Sequence, residues 1–385
     1  MELWQRILGS SIRQPEDLAR LVPGIDVNAI KMVTGTYPMF INPYYLSLLQ
    51  NPQDPIGRQC IPALAEVVTD EQTTADPLSE ESDSPVPCLV HRYPDRVLFQ
   101  VSSQCAMNCR FCTRKRKVGT DWTITSEMRR NAIDYIANHP EVRDVIISGG
   151  DPFLLTDETI DGLLQAIRAI PHVEIVRIGT RTPAVLPQRI TPHLVSILKK
   201  YHPLFINVHF EHPRELTPAA CLALSRLADA GIPLGNQSVL LAGVNDAPGV
   251  FVELNRKLLA NRVRPYYMYQ ADLVEGTNHF RTTVATGMRI MRELRGNTSG
   301  LAVPQYVIDA PGGGGKIPVL PEETSCYDGR QTVLTNYQGR HFTYSDPELT
   351  AVPDGSMKRR ARKKAPPDLL QPPTRSRIQR RRRAG

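Results

Sequence analysis

The sequence lacks the features that mark membrane and secreted proteins. It contains no apolar run long enough to span a bilayer and no signal-peptide pattern. Its seven cysteines show no paired spacings of the kind that frame a disulfide-rich secreted domain. We therefore expect a cytoplasmic protein whose thiols stay reduced.

Apolar residues are also scarce at the C-terminal end, where the positive charge is concentrated. From Lys358 to Arg383 the chain carries twelve Lys and Arg residues against one acid, whereas residues 1–357 carry 34 bases and 38 acids. A segment with so little apolar content cannot offset its ordering entropy, so residues 346–385 are predicted to be a disordered basic tail. We favour a solvated appendage, with nucleic-acid contact as the alternative.

The chain ahead of the tail divides into three regions. Residues 1–68 are predicted to form a helical layer, because amphipathic segments there are interrupted by prolines. Residues 69–91 include an acidic stretch rich in Ser and Pro, which is typical of an extended connector. In residues 92–345 short apolar runs alternate with helical patterns about every 30 residues, which indicates βα units and a parallel sheet.

Seven apolar runs are the predicted strands of this sheet. They are VLFQVS from Val97, DVIIS from Asp144, VEIVRIG from Val173, LFINVHF from Leu204, IPLGNQSVLL from Ile232, RPYYMYQ from Arg264 and VPQYVID from Val303. Helical patterns lie between them, for example SEMRRNAIDYIANH, for which Ser126 is the expected N-cap. Because repeated βα units close into a full or partial barrel, the fold class is α/β.

Polar residues gather at the predicted C-terminal ends of these strands. They are Cys105, Gly149 to Asp151, Thr180, His209, Asn236, Asp272 and Asp309. Parallel α/β folds place their active sites on that rim. The sequence therefore predicts one catalytic mouth at this end of the sheet.

Three cysteines in the run CAMNCRFC form the most informative motif. Cys105, Cys109 and Cys112 are spaced Cys-x3-Cys-x2-Cys, with Phe111 just before the last. Three thiolates can hold three irons of a cubic iron–sulfur cluster and leave the fourth open. Zinc is disfavoured because no second Cys or His pair follows. The spacing resembles the signature of radical S-adenosylmethionine (SAM) enzymes, in which SAM binds the open iron.

A glycine-rich loop with a lysine, PGGGGK from Pro311 to Lys316, is the second chemical motif. It is not a Walker A phosphate loop, because Ala310 and Ile317 stand where that motif needs Gly and then Ser or Thr. Glycines allow a flat ligand to approach closely, and a lysine there can form an imine with an aldehyde cofactor. The alternative is a flexible loop with a solvated lysine.

Together these loops resemble lysine 2,3-aminomutase, a family of radical SAM enzymes that also carry pyridoxal phosphate (PLP). The resemblance runs from about Trp4 to about Tyr344. The motifs that carry it are HRYPDRVLFQVSSQCAMNCRFCTRKR, SGGDP, RIGTRTPAVLPQRI, GNQSVLLAGVND, YYMYQADLVEGTNHFRT and YVIDAPGGGGKIPV. It implies a radical-SAM partial (β/α)6-type parallel barrel behind an N-terminal helical layer.

The resemblance implies a role for each site residue. The 4Fe-4S ligands would be Cys105, Cys109 and Cys112, and the SAM-binding residues Gly149, Gly150, Asp151, Gln237 and His209. PLP would be held by Lys316, and its phosphate by Arg92, Tyr93 and Arg96. Arg114 would bind the substrate carboxylate, and Asp272 and Asp309 the distant ammonium of lysine. Two buried carboxylates repel unless a cation lies between them, so this pair favours a cationic substrate.

The activity implied is that of an isomerase that moves the α-amino group of L-lysine to C3 to give β-lysine. A SAM-derived 5'-deoxyadenosyl radical would act on lysine joined to PLP as an imine. A reductant such as flavodoxin or ferredoxin and a homo-oligomeric assembly are the expected partners. Some family members carry zinc, but Ala247 follows GVND where a Cys ligand would stand, so zinc is not expected.

Three other activities remain as alternatives. The nearest is an aminomutase acting on another amino acid, such as arginine, or one supplying β-lysine for attachment to a translation factor. A nucleic-acid-modifying radical SAM enzyme would suit the basic tail, but PLP has no use in that chemistry and no RNA-binding fold is visible. A non-enzymatic iron–sulfur protein leaves the Lys316 loop and the paired aspartates unexplained.

Overall fold

The computed structural model describes residues 1–320, 324–327 and 331–345. The basic tail predicted to be disordered, residues 346–385, lies outside these ranges. Across the described ranges no helix is both long enough and apolar enough to cross a membrane.

Short helices form the N-terminal layer. They are α1 Leu3–Gly9, α2 Pro15–Leu21, α3 Val27–Thr34, α4 Pro43–Leu46 and α5 Gly57–Cys60. Prolines begin α2 and α4, where the missing N–H has no partner to lose. Leu18, Ile30 and Tyr45 of these helices are buried in the main hydrophobic core. The layer is therefore anchored to the main hydrophobic core through apolar side chains of several helices.

One sheet forms the centre of the described structure. Its nine strands are β1 Leu89–Tyr93, β2 Arg96–Ser102, β3 Asp144–Gly149, β4 Ile175–Thr180, β5 Leu204–Val208, β6 Leu234–Leu240, β7 Val263–Gln270, β8 Gln305–Ala310 and β9 Gly315–Pro318. They lie side by side in chain order, with β2 to β8 parallel and β1 and β9 antiparallel at the edges. All seven predicted strands are confirmed, as β2 to β8.

Helices connect the parallel strands. They are α6 Ser126–Ala137, α7 Asp157–Arg168, α8 Thr182–Val185, α9 Pro192–Leu198, α10 Pro218–Asp229, α11 Pro248–Ala260 and α12 Val284–Leu294. The βα alternation predicted from the sequence is therefore confirmed. The expected N-cap of α6 is wrong by one residue, because the side chain of Thr125 accepts the Met128 N–H at 3.2 Å and Ser126 is already helical.

The core lies between the sheet and these helices. On α7 the buried residues Ile160, Leu163, Leu164 and Ile167 follow the three- and four-residue spacing of one helix face. Each fully buried side chain of this kind contributes about 1.5–3 kcal/mol. The strong apolar stripe on α7 therefore fixes which face of the helix covers the sheet.

The two edges of the sheet meet through a side chain. The Tyr93 hydroxyl on β1 accepts the backbone N–H of Lys316 on β9 at 2.9 Å. A Cβ atom on Gly315 would lie 2.8 Å from that hydroxyl, so a larger residue would push the edges apart. The described sheet is thus a partial barrel whose gap is closed by Tyr93, and the rim of its strands surrounds one mouth.

The chain divides into two compact units, of which the first comprises residues 1–323 and 337–339 and contains the barrel. The second contains a separate antiparallel sheet of three strands, β10 Thr324–Tyr327, β11 Gln331–Thr335 and β12 His341–Ser345.

The end of β3 approaches the start of the cysteine loop very closely. A Cβ atom on Gly149 would lie 2.3 Å from the Ser102 carbonyl oxygen, and one on Gly150 would lie 2.3 Å from that of Gln104. Gly149 also has a φ of +133°, which side chains rarely tolerate. The two glycines therefore set the distance between β3 and the loop.

Replacing Gly149 by Ala should destabilise the protein by about 1–3 kcal/mol, the usual cost of a strained backbone position. Urea unfolding of the two proteins measures the difference. Gly162→Ala is the matched control, because Gly162 lies inside α7 with no atom within 4 Å of a new Cβ. That substitution should stabilise by about 0.5–1 kcal/mol, and equal effects of the two changes would contradict the packing argument.

Candidate active site

The three cysteines of the run CAMNCRFC lie in the loop after β2, and all three are free. Burial raises the pKa of the Cys112 thiol to about 11, with repulsion from Cys109 adding to it. Burial also raises the pKa of Cys105 well above its usual range, and Cys112 and Cys109 add to that rise. Three crowded thiols that resist ionisation fit a strongly positive ligand, which would stabilise the thiolates.

In the part of the chain that the structure describes, no group of three or more His, Cys, Asp and Glu could hold one metal ion. Cluster ligands do not need to converge in that way, because each thiolate binds a different iron.

Buried Glu66 holds the cysteine loop in place. Its carboxylate accepts from Arg110 Nε at 3.0 and 3.1 Å and from Lys115 Nζ at 2.5 Å. Although burial opposes ionisation of Glu66, Arg110 and Lys115 together keep its pKa below the usual value. Lys115 also donates to the Gly276 carbonyl oxygen at 2.8 Å. Glu66 of the N-terminal layer therefore holds the cysteine loop, and Lys115 of that loop connects it in turn to the loop after β7.

Lys316 lies on β9 directly opposite Asp309 of β8 in the antiparallel register. Its Nζ donates to Asp309 Oδ2 at 2.7 Å and lies 5.6 Å from the centre of the Tyr269 ring. The Asp309 side chain is 7% exposed and that of Lys316 is 33% exposed. The amine is thus accessible from the mouth while its counter-ion is buried.

Asp272, in the loop after β7, and Asp309 face the same mouth. Burial raises the pKa of Asp272 to about 7, and repulsion by Asp309 contributes, while Lys316 opposes the rise. Asp309 Oδ1 is buried and has no hydrogen-bond partner among the described residues. The structure therefore brings together the two predicted aspartates and leaves a carboxylate oxygen there that a further cation could satisfy.

Two of the predicted phosphate-binding residues also reach this mouth. Arg92 Nε donates to Asp83 at 2.8 Å, and Arg92 Nη1 lies 3.9 Å from Asp309 Oδ1. Tyr93 contacts the Lys316 backbone as described above. The Arg96 guanidinium lies 4.3 Å from the Tyr93 ring centre. Arg92 and Tyr93 of the HRYPDR run thus border the lysine loop, and Arg96 lies behind Tyr93.

The acidic segment predicted to be an extended connector has a specific role that the sequence did not indicate. Its Glu80 is buried and accepts from Arg114 Nη2 at 2.6 Å and from Nε at 3.0 Å. Asp76 of the same segment pairs with Arg116 at 3.0 Å. Glu80 also raises the pKa of Asp272 slightly. This single carboxylate therefore interacts with both the cysteine loop and the acidic mouth.

The remaining predicted residues differ in how they join the site. The Asp151 side chain is buried and accepts from the Thr180 hydroxyl at 2.7 Å and from two N–H groups of the following loop, at 2.8 and 3.0 Å. His209 lies 3.8 Å from buried Glu211. Gln237 lies in the middle of β6, opposite Tyr267 in register, and not at the strand end.

Comparison with known proteins decides the family. A radical SAM superfamily model matches residues 99–253, and a lysine-2,3-aminomutase model matches residues 291–366. The L-lysine 2,3-aminomutase of Methanococcus maripaludis is 50% identical over 353 residues, covering 89% of this chain and 81% of that protein. That of Clostridium subterminale is 50% identical over 349 residues, covering 89% and 84%. The chain belongs to the lysine 2,3-aminomutase family.

Relatives of this family act on more than one amino acid. A glutamate 2,3-aminomutase of Clostridioides difficile is 44% identical over 321 residues, covering 82% of this chain and 76% of that protein. Glutamate carries a distant carboxylate where lysine carries an ammonium. The charges around the mouth therefore bear on substrate choice within the lysine 2,3-aminomutase family.

Lysine 2,3-aminomutases use a 4Fe-4S cluster, SAM and PLP, and the described residues fit these groups. Three crowded thiols are available for the cluster. An accessible amine, Lys316 Nζ, lies beside a proton acceptor, Asp309, and the Arg92 guanidinium near the same carboxylate suits a phosphate.

The raised pKa of Asp272 should make the affinity for L-lysine depend on pH near neutrality. Below pH 7 the carboxyl is mostly protonated and attracts an ammonium weakly, whereas above pH 7 it is ionised. The ionised fraction changes roughly tenfold between pH 6 and pH 8, and the affinity should rise by about that factor. Calorimetric titration of the PLP-loaded protein at the two pH values measures it.

Asp272→Asn should flatten this dependence, because the amide does not titrate in that range. A rise of the same size in the Asn variant would show that another group is responsible.

Proposed function

We propose that the protein is an L-lysine 2,3-aminomutase, which moves the α-amino group of L-lysine to C3. The acidic mouth carries this proposal. Among the described residues buried Asp309 Oδ1 accepts no hydrogen bond, with Arg92 Nη1 3.9 Å away, and Asp272 is close enough for the two carboxylates to repel. A bound ammonium would let both stay ionised. Lysine has such a group at the far end of its side chain, and glutamate does not.

The carboxylate of lysine is proposed to bind Arg114. Glu80 holds Nε and Nη2 of this arginine, while Nη1 makes a long hydrogen bond of 3.4 Å to the Gly149 carbonyl oxygen. Nη1 is therefore the nitrogen best able to take a stronger acceptor. Because Glu80 already fixes the guanidinium, little side-chain entropy would be lost on binding.

Lys316 is proposed to hold PLP through Nζ. An ammonium must lose a proton before it can react with an aldehyde, and Asp309 Oδ2 is a suitable acceptor at 2.7 Å. Arg92 and Arg96 are proposed to bind the phosphate, while the Tyr93 hydroxyl fixes the Lys316 backbone. When bound, the cluster with SAM would supply a 5'-deoxyadenosyl radical, and PLP would supply an aldehyde for the amine and a conjugated pyridine ring that delocalises an unpaired electron.

The SAM side of the mouth is proposed to lie at the end of β3. Cys105, Cys109 and Cys112 would hold the cluster. Gly149, Gly150 and Asp151 would bind the SAM amino group through backbone carbonyls. The Asp151 carboxylate is less suited to this role, because it already accepts hydrogen bonds from Thr180, Arg181 and Thr182 at the end of β4. His209 and Gln237 are proposed to assist. Close packing of the two glycines on the cysteine loop supports this arrangement.

The proposal includes three statements about the surroundings of the enzyme. A one-electron donor protein, such as a flavodoxin or ferredoxin, is needed to reduce the cluster. A homo-oligomer is the proposed assembly, and sedimentation velocity tests it. A cytoplasmic location is proposed because the cluster ligands must stay reduced, and the described cysteines are free thiols.

Incubation of the reduced, reconstituted protein with SAM and one amino acid at a time tests the proposed activity. Mass spectrometry and chromatography against β-amino acid standards should identify β-lysine from lysine and little or no product from glutamate. Faster turnover of glutamate would refute the proposal. Faster turnover of arginine would keep the aminomutase chemistry but change the substrate.

Asp309→Asn and Asp272→Asn should each lower kcat/KM for lysine severely. Truncating one partner of a buried charge pair costs about 2–5 kcal/mol, which is roughly a 30-fold to several-thousand-fold loss. SAM cleavage in the absence of lysine turnover should remain, because neither residue lies in the cysteine loop. Asp229→Asn is the matched control, since Asp229 forms an exposed ion pair with Arg262. Near-normal kinetics in both mouth variants would refute the ammonium clamp.

Borohydride reduction of the PLP-loaded protein should fix a pyridoxyl group on Lys316. Peptide mass mapping identifies the labelled residue, and Lys316→Ala should lose the label. Lys257 is an internal control, because it is exposed and pairs with Glu253 at 2.7 Å. A label on Lys257 or Lys199 in place of Lys316 would overturn the assignment and leave the radical SAM chemistry untouched.

A further inference from the structure

Arg181 is a buried arginine that contacts the cysteine loop, and it lies in the RIGTRTPAVLPQRI motif without a role assigned to it. It directly follows β4, and its backbone N–H donates to the Asp151 carboxylate at 2.8 Å. Its side chain is 10% exposed. The nitrogen Nη1 donates to Cys109 Sγ at 2.7 Å. The guanidinium carbon also lies 5.0 Å from the centre of the Phe111 ring, between two of the cysteines in sequence.

The other side of this guanidinium is held by the N-terminal layer and the loop after β5. Nη2 donates to Glu215 Oε1 at 2.9 Å and also contacts the side chains of Gln59 and Tyr45. Glu215 is fully buried and in turn accepts the N–H groups of Glu211 and His212. The orientation of Arg181 is thus fixed from behind, with Nη1 directed at the sulfur.

Arg181 also has a side-chain donor that the described residues do not satisfy. Its Nε is buried and has no acceptor within the described ranges. A buried N–H without an acceptor is costly, and a 4Fe-4S cluster on the neighbouring cysteines would bring sulfide acceptors to this region.

We propose that Arg181 is a positioning residue that donates a hydrogen bond to the Cys109 thiolate and thereby raises the reduction potential of the cluster. The inference rests on the proposed cluster at Cys105, Cys109 and Cys112. One-electron reduction adds a negative charge to the cluster. Hydrogen bonds to cluster sulfurs and nearby positive charge stabilise that form.

The charge balance around Arg181 supports this direction. Glu215 offsets the guanidinium charge, but it binds Nη2, whereas Nη1 faces the sulfur. Buried Glu211 is a second carboxylate near Cys109, and it has no direct hydrogen bond to the guanidinium among the described residues. In the Arg181–Glu215 pair it is therefore the positively charged guanidinium that faces Cys109. Removal of Arg181 should leave the cluster harder to reduce.

The test is a redox titration of the reconstituted protein, in which electron paramagnetic resonance measures the reduced cluster. At the potential where the wild-type cluster is half reduced, Arg181→Gln should show a ratio of reduced to oxidised cluster at least tenfold lower, which corresponds to about 59 mV. Arg181→Lys keeps the charge without the planar fork. Its ratio of reduced to oxidised cluster should lie between those of the wild type and Arg181→Gln. Neither lysine nor PLP is present in this experiment.

Arg189→Gln is the matched control. Arg189 is also a fully buried arginine, but it donates to the carbonyl oxygens of Phe153 and Leu155, away from the cysteines. Its replacement should leave the midpoint potential of the cluster, at which half of it is reduced, unchanged. Iron and sulfide contents of all variants are measured alongside.

Glu215→Gln provides a second reading in the opposite direction. It removes the carboxylate that offsets Arg181, so the midpoint potential should rise, an outcome that general disruption of the site does not explain.

Unchanged midpoint potentials in Arg181→Gln and Glu215→Gln would refute the inference, as would equal falls in Arg181→Gln and Arg189→Gln. If Arg181→Gln binds no cluster, an unchanged or lower midpoint in Glu215→Gln refutes it. A wild-type protein without a cluster signal would instead refute the proposed function.

Discussion

The ion pair between Lys316 and Asp309 is the interaction on which the mouth of the barrel depends. The antiparallel register of β8 and β9 sets the two residues opposite each other, and Tyr93 holds the backbone of the lysine from the other edge of the sheet. A buried ionised carboxylate is costly unless a cation or several hydrogen-bond donors compensate it. In the unliganded protein that cation is Lys316 itself. When its amine is engaged by a cofactor, the carboxylate must find another, and a substrate ammonium meets that need.

The same rule explains why an acidic segment covers the site. Arg92 and Arg114 are the guanidinium groups best placed for anions, and both are paired with carboxylates of this segment, Asp83 and Glu80. These pairs compensate the buried positive charge before any ligand binds. Glu80 also places a negative charge near Asp272. The unliganded site therefore disfavours a substrate with a distant carboxylate and favours one with a distant ammonium.

Sequence reasoning succeeded where the information is local. Buried parallel strands are continuous apolar runs, so all seven were identified, and the thiols and the glycine–lysine loop carry their chemistry in consecutive residues. It failed where function depends on contacts far apart in the chain. Glu66 lies 44 positions from Arg110, and Arg181 lies 72 positions from Cys109. An isolated acid or arginine in a polar stretch gives no signal of such a partner.

Smaller errors have equally physical causes. Thr125 and Ser126 are both good N-caps, and only the backbone geometry selects Thr125. Asn236 was expected at the C-terminal end of its strand, but it lies inside β6, which continues to Leu240.

Glu80 links the two halves of the site. It fixes Arg114 beside the cysteine loop through two hydrogen bonds, and its charge opposes ionisation of Asp272 in the mouth. A carboxylate brought to Arg114 by a substrate would share the guanidinium with Glu80, while the ammonium of the same molecule would favour ionised Asp272. One end of the substrate would therefore act on Glu80 through Arg114, and the other end on Asp272, whose ionisation Glu80 opposes. A molecule with both groups at the right separation thus fits this mouth better than a molecule with only one of them.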